Sequence, residues 1–218
     1  SEADMNLINS SVINIIRNSG SNNTTRKIII TGGTKNSYEA PTTISQSILA
    51  SDNYLIATFH YYHPSKFTRS SKDGQNQNVW GSQADKDLVT SEFKVATDWA
   101  TSNNMVLFLG EFGADNELGY DYSTGDLMKI SANSTGFSDG GPTKQSRIDF
   151  YKFVAGLAID NGIAFTVWDG GPSSNKTINS RTDATSTVNY NIDNFSVTTY
   201  DPKATTKSTV VDNSKWVT

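Results

Sequence analysis

The sequence contains no cysteine, so disulfide bridges and thiolate metal sites are excluded. It has no apolar run near the roughly 20 residues that a membrane-spanning helix needs. It also shows no signal peptide, which a mature secreted chain would have lost. Basic residues are scattered, with 18 Lys and Arg against 22 Asp and Glu, for a net charge of −4. We therefore expect no nucleic-acid partner, whose phosphates demand a basic face, and no membrane contact.

The chain is rich in polar, uncharged residues. The 218 residues can bury one sizeable core, so we expect one domain or part of one. Hydrophobic residues make up 35% of the chain and charged residues only 18%. The abundance of Ser, Thr and Asn is common in extracellular enzymes and indicates a secreted protein.

Apolar strands alternate with amphipathic helices over the first 170 residues. The sequence predicts helices at 2–19, 43–50, 85–102 and 143–161, and strands at 27–33, 54–61, 105–112 and 163–169. The first strand is expected to be buried on both faces. The order implies parallel strands, and either a (β/α)8 barrel or an open doubly wound sheet fits it. A polar tail follows residue 170, with a strand or short helix predicted around 192–200.

The barrel is favoured because long polar segments follow the carboxyl ends of the strands, where barrels keep their chemistry. A dinucleotide site would need a Gly-rich turn, and no Gly-x-Gly-x-x-Gly follows the first strand. Four strands are half of a barrel. Such a half would leave two parallel edges unpaired and its inner face open to water.

Glu111, in the run LGEFG, ends the third predicted strand. An ionisable group at that position either faces a solvated mouth or is buried and paired. Gly110 and Gly113 remove bulk on both sides, so another group can approach closely. Glu111 is therefore a candidate catalytic carboxylate, and a strand-end carboxylate in a structural salt bridge is the alternative.

His60 and Tyr62 end the second predicted strand in the run HYYHP. They are two residues apart and so project to the same side of an extended chain, where they can orient Glu111 and contact a sugar hydroxyl. The alternative is a cluster packed under the next loop, and for His63 that alternative is favoured. No His-x-x-x-His spacing is present, so no metal and no cofactor are expected.

Two tryptophans are candidates for sugar binding. Trp168 ends the fourth predicted strand, where an indole offers a flat platform to the C–H face of a sugar; core packing is the alternative. Trp80 lies within a polar stretch with few apolar neighbours, which favours a binding surface.

These motifs, in this order, resemble the (β/α)8 retaining glycosidases, and most closely glycoside hydrolase family 5, the endoglucanase-type cellulases. The resemblance spans roughly residues 1–170. The matching pieces are RKIIITGG at 26–33, ATFHYYHP at 57–64, FT at 67–68, VWGS at 79–82, LGEFG at 109–113 and VWD at 167–169.

The resemblance implies a role for each matching residue. Glu111 resembles the family's nucleophile after strand seven, and His60 and Tyr62 resemble the pair after strand six. Trp168 resembles the platform after strand eight. The resemblance also implies that Phe67 and Trp80, in the loop after strand six, contact substrate. Arg69 stands where the family often has a histidine after Phe-Thr, which departs from the pattern.

The family's acid/base glutamate lies in an Asn-Glu-Pro motif after strand four, and this sequence has no Asn-Glu-Pro. The four strands therefore resemble strands five to eight, and the chain reads as the C-terminal half of the catalytic barrel. The expected activity is endo-β-1,4-glucanase by double displacement, with the acid/base residue in a segment absent here. Asp115 and Asp169 are possible alternatives for the acid/base residue, but neither lies in a motif of the family. β-Glucan is favoured over mannan or xylan by the Phe-Thr and Trp-Gly-Ser pieces.

The expected macromolecular partner is the N-terminal half of the same barrel or a second copy of this chain. The alternative function is that of a binding or structural protein rather than an enzyme: a catalytically silent half-barrel that self-associates or binds glucan. An α/β hydrolase is disfavoured because no Gly-x-Ser-x-Gly elbow is present.

Overall fold

The computed structural model describes residues 1–33, 37–69, 77–115 and 141–169, residue 176, and the strand residues 120–121, 126–127, 197–198 and 209–210. The chain divides into two compact units, Ser1–Trp168 and Asp169–Thr218. Within the described part of the second unit, two short strands pair in antiparallel fashion. The first unit contains the helices and the parallel sheet.

Five α-helices and two 3₁₀ segments are described. The helices are α1 Glu2–Asn18, α2 Gln46–Ser51, α3 Ser65–Thr68, α4 Gln83–Ser102 and α5 Lys144–Asp160, and the 3₁₀ segments are Ser21–Thr24 and Ser37–Thr43. Ser1 and Ser82 begin α1 and α4 with capping boxes, in which the serine hydroxyl accepts a backbone N–H and an aspartate accepts in return. Gly20 and Gly162, at φ +71° and +66°, follow the ends of α1 and α5.

The strands in chain order are β1 Ile28–Thr31, β2 Leu55–Tyr61, β3 Val106–Phe112, β4 Tyr120–Asp121, β5 Asp126–Leu127, β6 Ala164–Phe165, β7 Val197–Thr198 and β8 Thr209–Val210. The main sheet has the order β1-β2-β3-β6, and every neighbouring pair is parallel. Each crossover moves to the next strand in the same direction. A doubly wound sheet reverses direction, whereas a (β/α)8 barrel does not, so the fold is of the barrel type.

One face of the sheet packs against the helices and forms the core. Alternate residues of β2 are buried, and Phe59 packs edge to face on Phe93 of α4 at 5.5 Å between ring centroids. Val154 and Ala158 of α5 are also fully buried. Burying a large apolar side chain contributes about 1.5–3 kcal/mol, so this helix-facing layer dominates the stability of the unit.

The prediction that the first strand is buried on both faces is wrong. Ile28 and Ile30 are buried against the helices, but Ile29 between them is 51% exposed. In a barrel the inner face of a strand is covered by other strands rather than by helices, so four strands leave that face uncovered. Val106 of β3 is likewise 56% exposed.

The four predicted helices and four predicted strands are confirmed, with ends that differ by a few residues. The second predicted helix begins later, because residues 43–45 lead out of a 3₁₀ segment. The short helix α3 and the antiparallel pair β4–β5 lie in polar stretches of the sequence and were not predicted. Strand β7 lies inside the predicted 192–200 region, and most of the tail lies outside the described residues. Among the described residues, no helix has the length and apolar character to cross a membrane.

Candidate active site

A bulge in β3 turns Glu111 away from the core. β2 and β3 pair in register as far as Phe59 and Leu109, and the next pair is His60 with Glu111, so Gly110 is an extra residue. Because Leu109 is buried on the helix side, strict alternation would direct position 111 to that side as well. The extra residue instead directs the Glu111 side chain to the uncovered face.

Tyr62 and His60, which we call the front pair, both contact Glu111. The Tyr62 hydroxyl donates to Glu111 Oε2 at 2.9 Å, and His60 Nδ1 lies 3.3 Å from the same oxygen. The Glu111 side chain is 31% exposed and that of His60 is 40% exposed. Neither contact uses Oε1, so the arrangement orients the carboxylate through one oxygen and leaves the other without a contact from the front pair.

Gly110 is required by the closeness of the strands at this point. A Cβ at this position would lie 2.8 Å from Thr58 Oγ1 and 3.1 Å from His60 Nε2. The first distance is shorter than real Cβ contacts and the second is tighter than most of them, so the absence of a Cβ makes room for the His60 ring beside Glu111. The small residue and the bulge together allow the front pair to reach its carboxylate.

Hydroxyl groups hold the backbone around the site. Thr58 Oγ1 donates to a carbonyl of β3 at 2.9 Å, and Thr166 Oγ1 donates to the carbonyl of Gly110. The backbone N–H of His60 donates to Ser37 Oγ at 2.7 Å. These bonds fix the strand ends on which the front pair and Glu111 are carried.

A second cluster lies on the helix side of the same strand end. Tyr61 and His63, which we call the rear pair, both contact Glu92 of α4, with the Tyr61 hydroxyl donating to Oε2 and His63 Nδ1 lying 3.2 Å from Oε1. The hydrogen bond with Glu92 raises the pKa of His63 against the opposing effect of burial. Burial opposes ionisation of Glu92, but hydrogen bonds from His63 and Tyr61 outweigh it and lower the Glu92 pKa.

Trp168 follows β6 at the same edge of the sheet. Its backbone N–H donates to the carbonyl of Phe112 at 2.9 Å, which extends the strand alignment beyond β6. Its side chain is 45% exposed. An exposed indole at this edge can offer its ring to a ligand, and its role as a sugar platform remains a prediction.

The structure contradicts the expectation that Trp80 and Phe67 contact substrate. Phe67 is fully buried and Trp80 is only 3% exposed, with their ring centroids 6.2 Å apart. Both rings pack on Phe150 of α5, and the backbone N–H of Trp80 donates to Ser146 Oγ. The sequence around Trp80 is polar, but both rings lie against α5, so neither ring faces a ligand.

Asp115 is not placed as a second catalytic carboxylate either, because it is fully buried. Asp169 begins the second unit. Neither residue gains support as the acid/base group.

Sequence reasoning missed the groups that support the site, above all Glu92, Thr58 and Thr166. Thr58 lies on the face of β2 opposite its buried residues, and Thr166 directly follows β6, so polar residues at these positions indicate the active-site side. Glu92 interrupts the apolar stripe of α4 and its side chain is only 12% exposed. A carboxylate beside such a stripe is a signal for a buried, paired charge.

A partly exposed carboxylate at the carboxyl edge of singly wound parallel strands, contacted by side chains at the end of the neighbouring strand β2, has the position that active sites take in (β/α)-barrel proteins. Residues 2–174 match the family model of cellulase (glycosyl hydrolase family 5). The chain belongs to this family.

The chain is similar to Endoglucanase H of Acetivibrio thermocellus, with 32% identity over 164 residues that cover 75% of the chain and 14% of the relative. It is similar to the solved structure of an endoglucanase, with 25% identity and a TM-score of 0.60, covering 83% of the chain and 50% of that structure. A hyperthermophilic endo-β-1,4-glucanase solved with substrate gives a TM-score of 0.62 at 22% identity, with the same coverage, and shows the fold alone. The chain thus spans half or less of these relatives.

Proposed function

We propose that the protein is a retaining β-glycoside hydrolase, an endo-β-1,4-glucanase in which Glu111 is the nucleophile. The observation that carries this proposal is the approach of the Tyr62 hydroxyl and of His60 Nδ1 to the same oxygen, Glu111 Oε2, at a partly exposed strand end. The two contacts orient the carboxylate, and Oε1 is left to attack. The family membership and the endoglucanase relatives support the reaction class.

The reaction follows a double displacement. Glu111 Oε1 forms a bond to the anomeric carbon while the glycosidic C–O bond breaks and a second carboxylic acid protonates the departing oxygen. A water molecule then attacks the same carbon, its proton passes to the second carboxylate, and the bond to Glu111 breaks. In retaining enzymes the two carboxyl groups are about 5–5.5 Å apart.

The second carboxyl group is proposed to come from a segment outside these 218 residues, within an Asn-Glu-Pro motif. The coverage of half or less of the relatives supports this, as do the uncovered Ile29 and Val106 of the inner face. The partner is then the N-terminal half of the same barrel. The substrate is proposed to be β-glucan, with β-mannan and xylan as alternatives, and the protein is proposed to act after secretion.

The test compares the 218-residue chain alone with the full product of its gene on soluble β-glucan, mannan and xylan. The full product should hydrolyse β-glucan fastest, and Glu111→Gln should reduce its kcat by about three orders of magnitude or more, because the covalent step is removed. The chain alone should be inactive. A normal rate from the chain alone, unchanged by Glu111→Gln, would show that the assignment is wrong.

A second candidate is a catalytically silent half-barrel that self-associates or binds glucan without cleaving it. The observation that favours it is the exposed apolar surface of α1, formed by Leu7, Ile8, Val12 and Ile15, which are between 44% and 70% exposed. Two copies that cover this surface and the inner face would mimic a whole barrel. Sedimentation at low concentration decides this, since a stable folded monomer counts against it.

A further inference from the structure

The strand end that carries the front pair is held by a carboxylate on each side. Side chains alternate along an extended chain, so the front pair faces Glu111 while the rear pair faces Glu92. Each carboxylate accepts a hydrogen bond from a tyrosine hydroxyl and lies within 3.3 Å of an imidazole nitrogen. Two such clusters, back to back across four consecutive residues, couple the position of α4 to the geometry of the site.

We propose that Glu92 is a positioning residue that anchors the rear pair and thereby holds the front pair against Glu111. The inference rests on the proposed function, since it assigns Glu92 a part in the same reaction. Tyr62 lies between the two residues of the rear pair, so its backbone cannot shift unless a contact with Glu92 breaks. Glu92 extends from a 20-residue helix and its side chain is 12% exposed, so the anchor is rigid and shielded from water.

The anchor is an ion pair only while His63 is protonated. Glu92 has a lowered pKa and His63 a raised pKa, so the pair is charged between these two values and is lost as pH rises through the His63 pKa. The other groups that face this pair are Tyr38 and Glu39 of the 3₁₀ segment and Tyr61 of β2. Glu39 adds to the raised His63 pKa, and burial followed by Glu92 raises the pKa of both tyrosines, which stay neutral.

The chain offers a direct spectroscopic test, because His60 and His63 are its only histidines and each reports on one side of the strand end. Imidazole ¹⁵N–¹H spectra of the 218-residue chain are recorded against pH. Glu92→Gln should lower the titration midpoint of His63 and also displace the signals of His60, which Glu92 does not touch. His63→Gln, which breaks the same ion pair from its other end, should displace the His60 signals in the same direction.

Asp98→Asn is the matched control, because it removes a carboxylate from the same helix α4 at a side chain that is 62% exposed and pairs with Lys94. It should leave both histidines unchanged. Glu111→Gln should alter the His60 signals and leave the His63 midpoint as it is. If the His60 signals of both Glu92→Gln and His63→Gln superpose on those of the wild type, the inference is overturned.

Kinetics of the full gene product separate this inference from the proposed function. Glu92→Gln should lower kcat on β-glucan by about 10- to 100-fold with little change in KM, and should alter the alkaline limb of the kcat profile. If Glu111→Gln abolishes activity while Glu92→Gln keeps the wild-type kcat and pH profile, Glu92 is not a positioning residue but the proposed function stands. If the wild type has no glucanase activity, the proposed function and the assigned part in it both fail, and the spectra still show whether Glu92 sets the front pair.

Discussion

At the scale of single residues, the orientation of Glu111 depends on the front pair, which contacts one of its oxygens. Tyr62 and His60 lie 2.9 Å and 3.3 Å from Oε2, while neither of them contacts Oε1. In the proposed reaction, Oε1 is the oxygen that attacks the anomeric carbon.

Tyr62→Phe should lower kcat on β-glucan by about 10- to 100-fold in the full gene product. A hydrogen bond to a charged group contributes about 1.5–3 kcal/mol, and each 1.4 kcal/mol is a tenfold change in rate. Tyr54→Phe is the control, because Tyr54 precedes the amino end of β2, opposite the site. Equal rates for wild type and Tyr62→Phe would remove Tyr62 from the mechanism.

Gly110→Ala should displace the His60 ring, because the new Cβ would lie 3.1 Å from His60 Nε2 and 2.8 Å from Thr58 Oγ1. We expect a loss of activity together with a cost of about 1–3 kcal/mol in the free energy of unfolding. Gly156→Ala in α5 is the matched control, since its Cβ would have no atom within 4 Å. It should stabilise the chain by about 0.4–1 kcal/mol. Urea unfolding and the rate on β-glucan measure both effects.

At the scale of elements, α1 is tied to the turn between α2 and β2 by one ion pair. Arg17 Nε donates to Asp52 Oδ2 at 2.6 Å and Arg17 Nη2 donates to Oδ1 at 3.1 Å. The Asp52 side chain is 5% exposed, and its second role is to accept the backbone N–H of Tyr54 at 2.7 Å. The hydrogen bonds from Arg17 lower the pKa of Asp52 from 3.8 against the opposing effect of burial.

Asp52→Asn should reduce the free energy of unfolding by about 2 kcal/mol at pH 7. A carboxylate with a lowered folded-state pKa stabilises the fold above its unfolded pKa near 3.8, and that stabilisation is lost as pH falls through the lowered value. The difference between wild type and variant should therefore shrink below about pH 4. Asp98→Asn, at an exposed pair, should change stability little at either pH. A difference that does not change with pH would contradict this account.

Sequence periodicity was sufficient to predict the parallel β/α elements. A buried strand is a short continuous apolar run, whereas an amphipathic helix repeats apolar residues every three to four positions. It also placed Glu111 and the front pair at strand ends, since residue spacing alone brings them to one edge. Periodicity could not predict the bulge at Gly110, which depends on how two distant strands pair. The prediction that Trp80 lies on a binding surface failed for the same reason. Its neighbours in sequence are polar, but its neighbours in space are aromatic residues of α5, which periodicity cannot reveal.

At the scale of the whole molecule, the described residues of the first unit form two apolar surfaces that are uncovered. One is the inner face of the sheet, where Ile29 and Val106 are more than half exposed. The other is the exposed apolar side of α1, where Leu7 is 68% and Ile15 70% exposed. A partner that completes a barrel would bury both surfaces, which is how the proposed N-terminal half would be held.

Ile15→Ser should therefore leave the free energy of unfolding of the 218-residue chain almost unchanged, because Ile15 makes little contact within it. The control Ile13→Ala, two residues away on the buried side of α1 at 4% exposure, should cost about 2–5 kcal/mol. In sedimentation experiments Ile15→Ser should weaken self-association or binding of the N-terminal half. Unaltered association of Ile15→Ser would exclude the α1 surface as part of that interface.

The most direct measurement of the central claim is covalent trapping of the nucleophile. A 2-deoxy-2-fluoro-β-cellobioside with a dinitrophenolate leaving group forms a long-lived glycosyl ester in a retaining enzyme, and this leaving group needs no protonation by the second carboxyl. After treatment of the full gene product, peptide mass spectrometry should find the sugar on Glu111, and Glu111→Gln should acquire no label. A label on another carboxylate, or release of dinitrophenolate by Glu111→Gln at the wild-type rate, would contradict the role of Glu111.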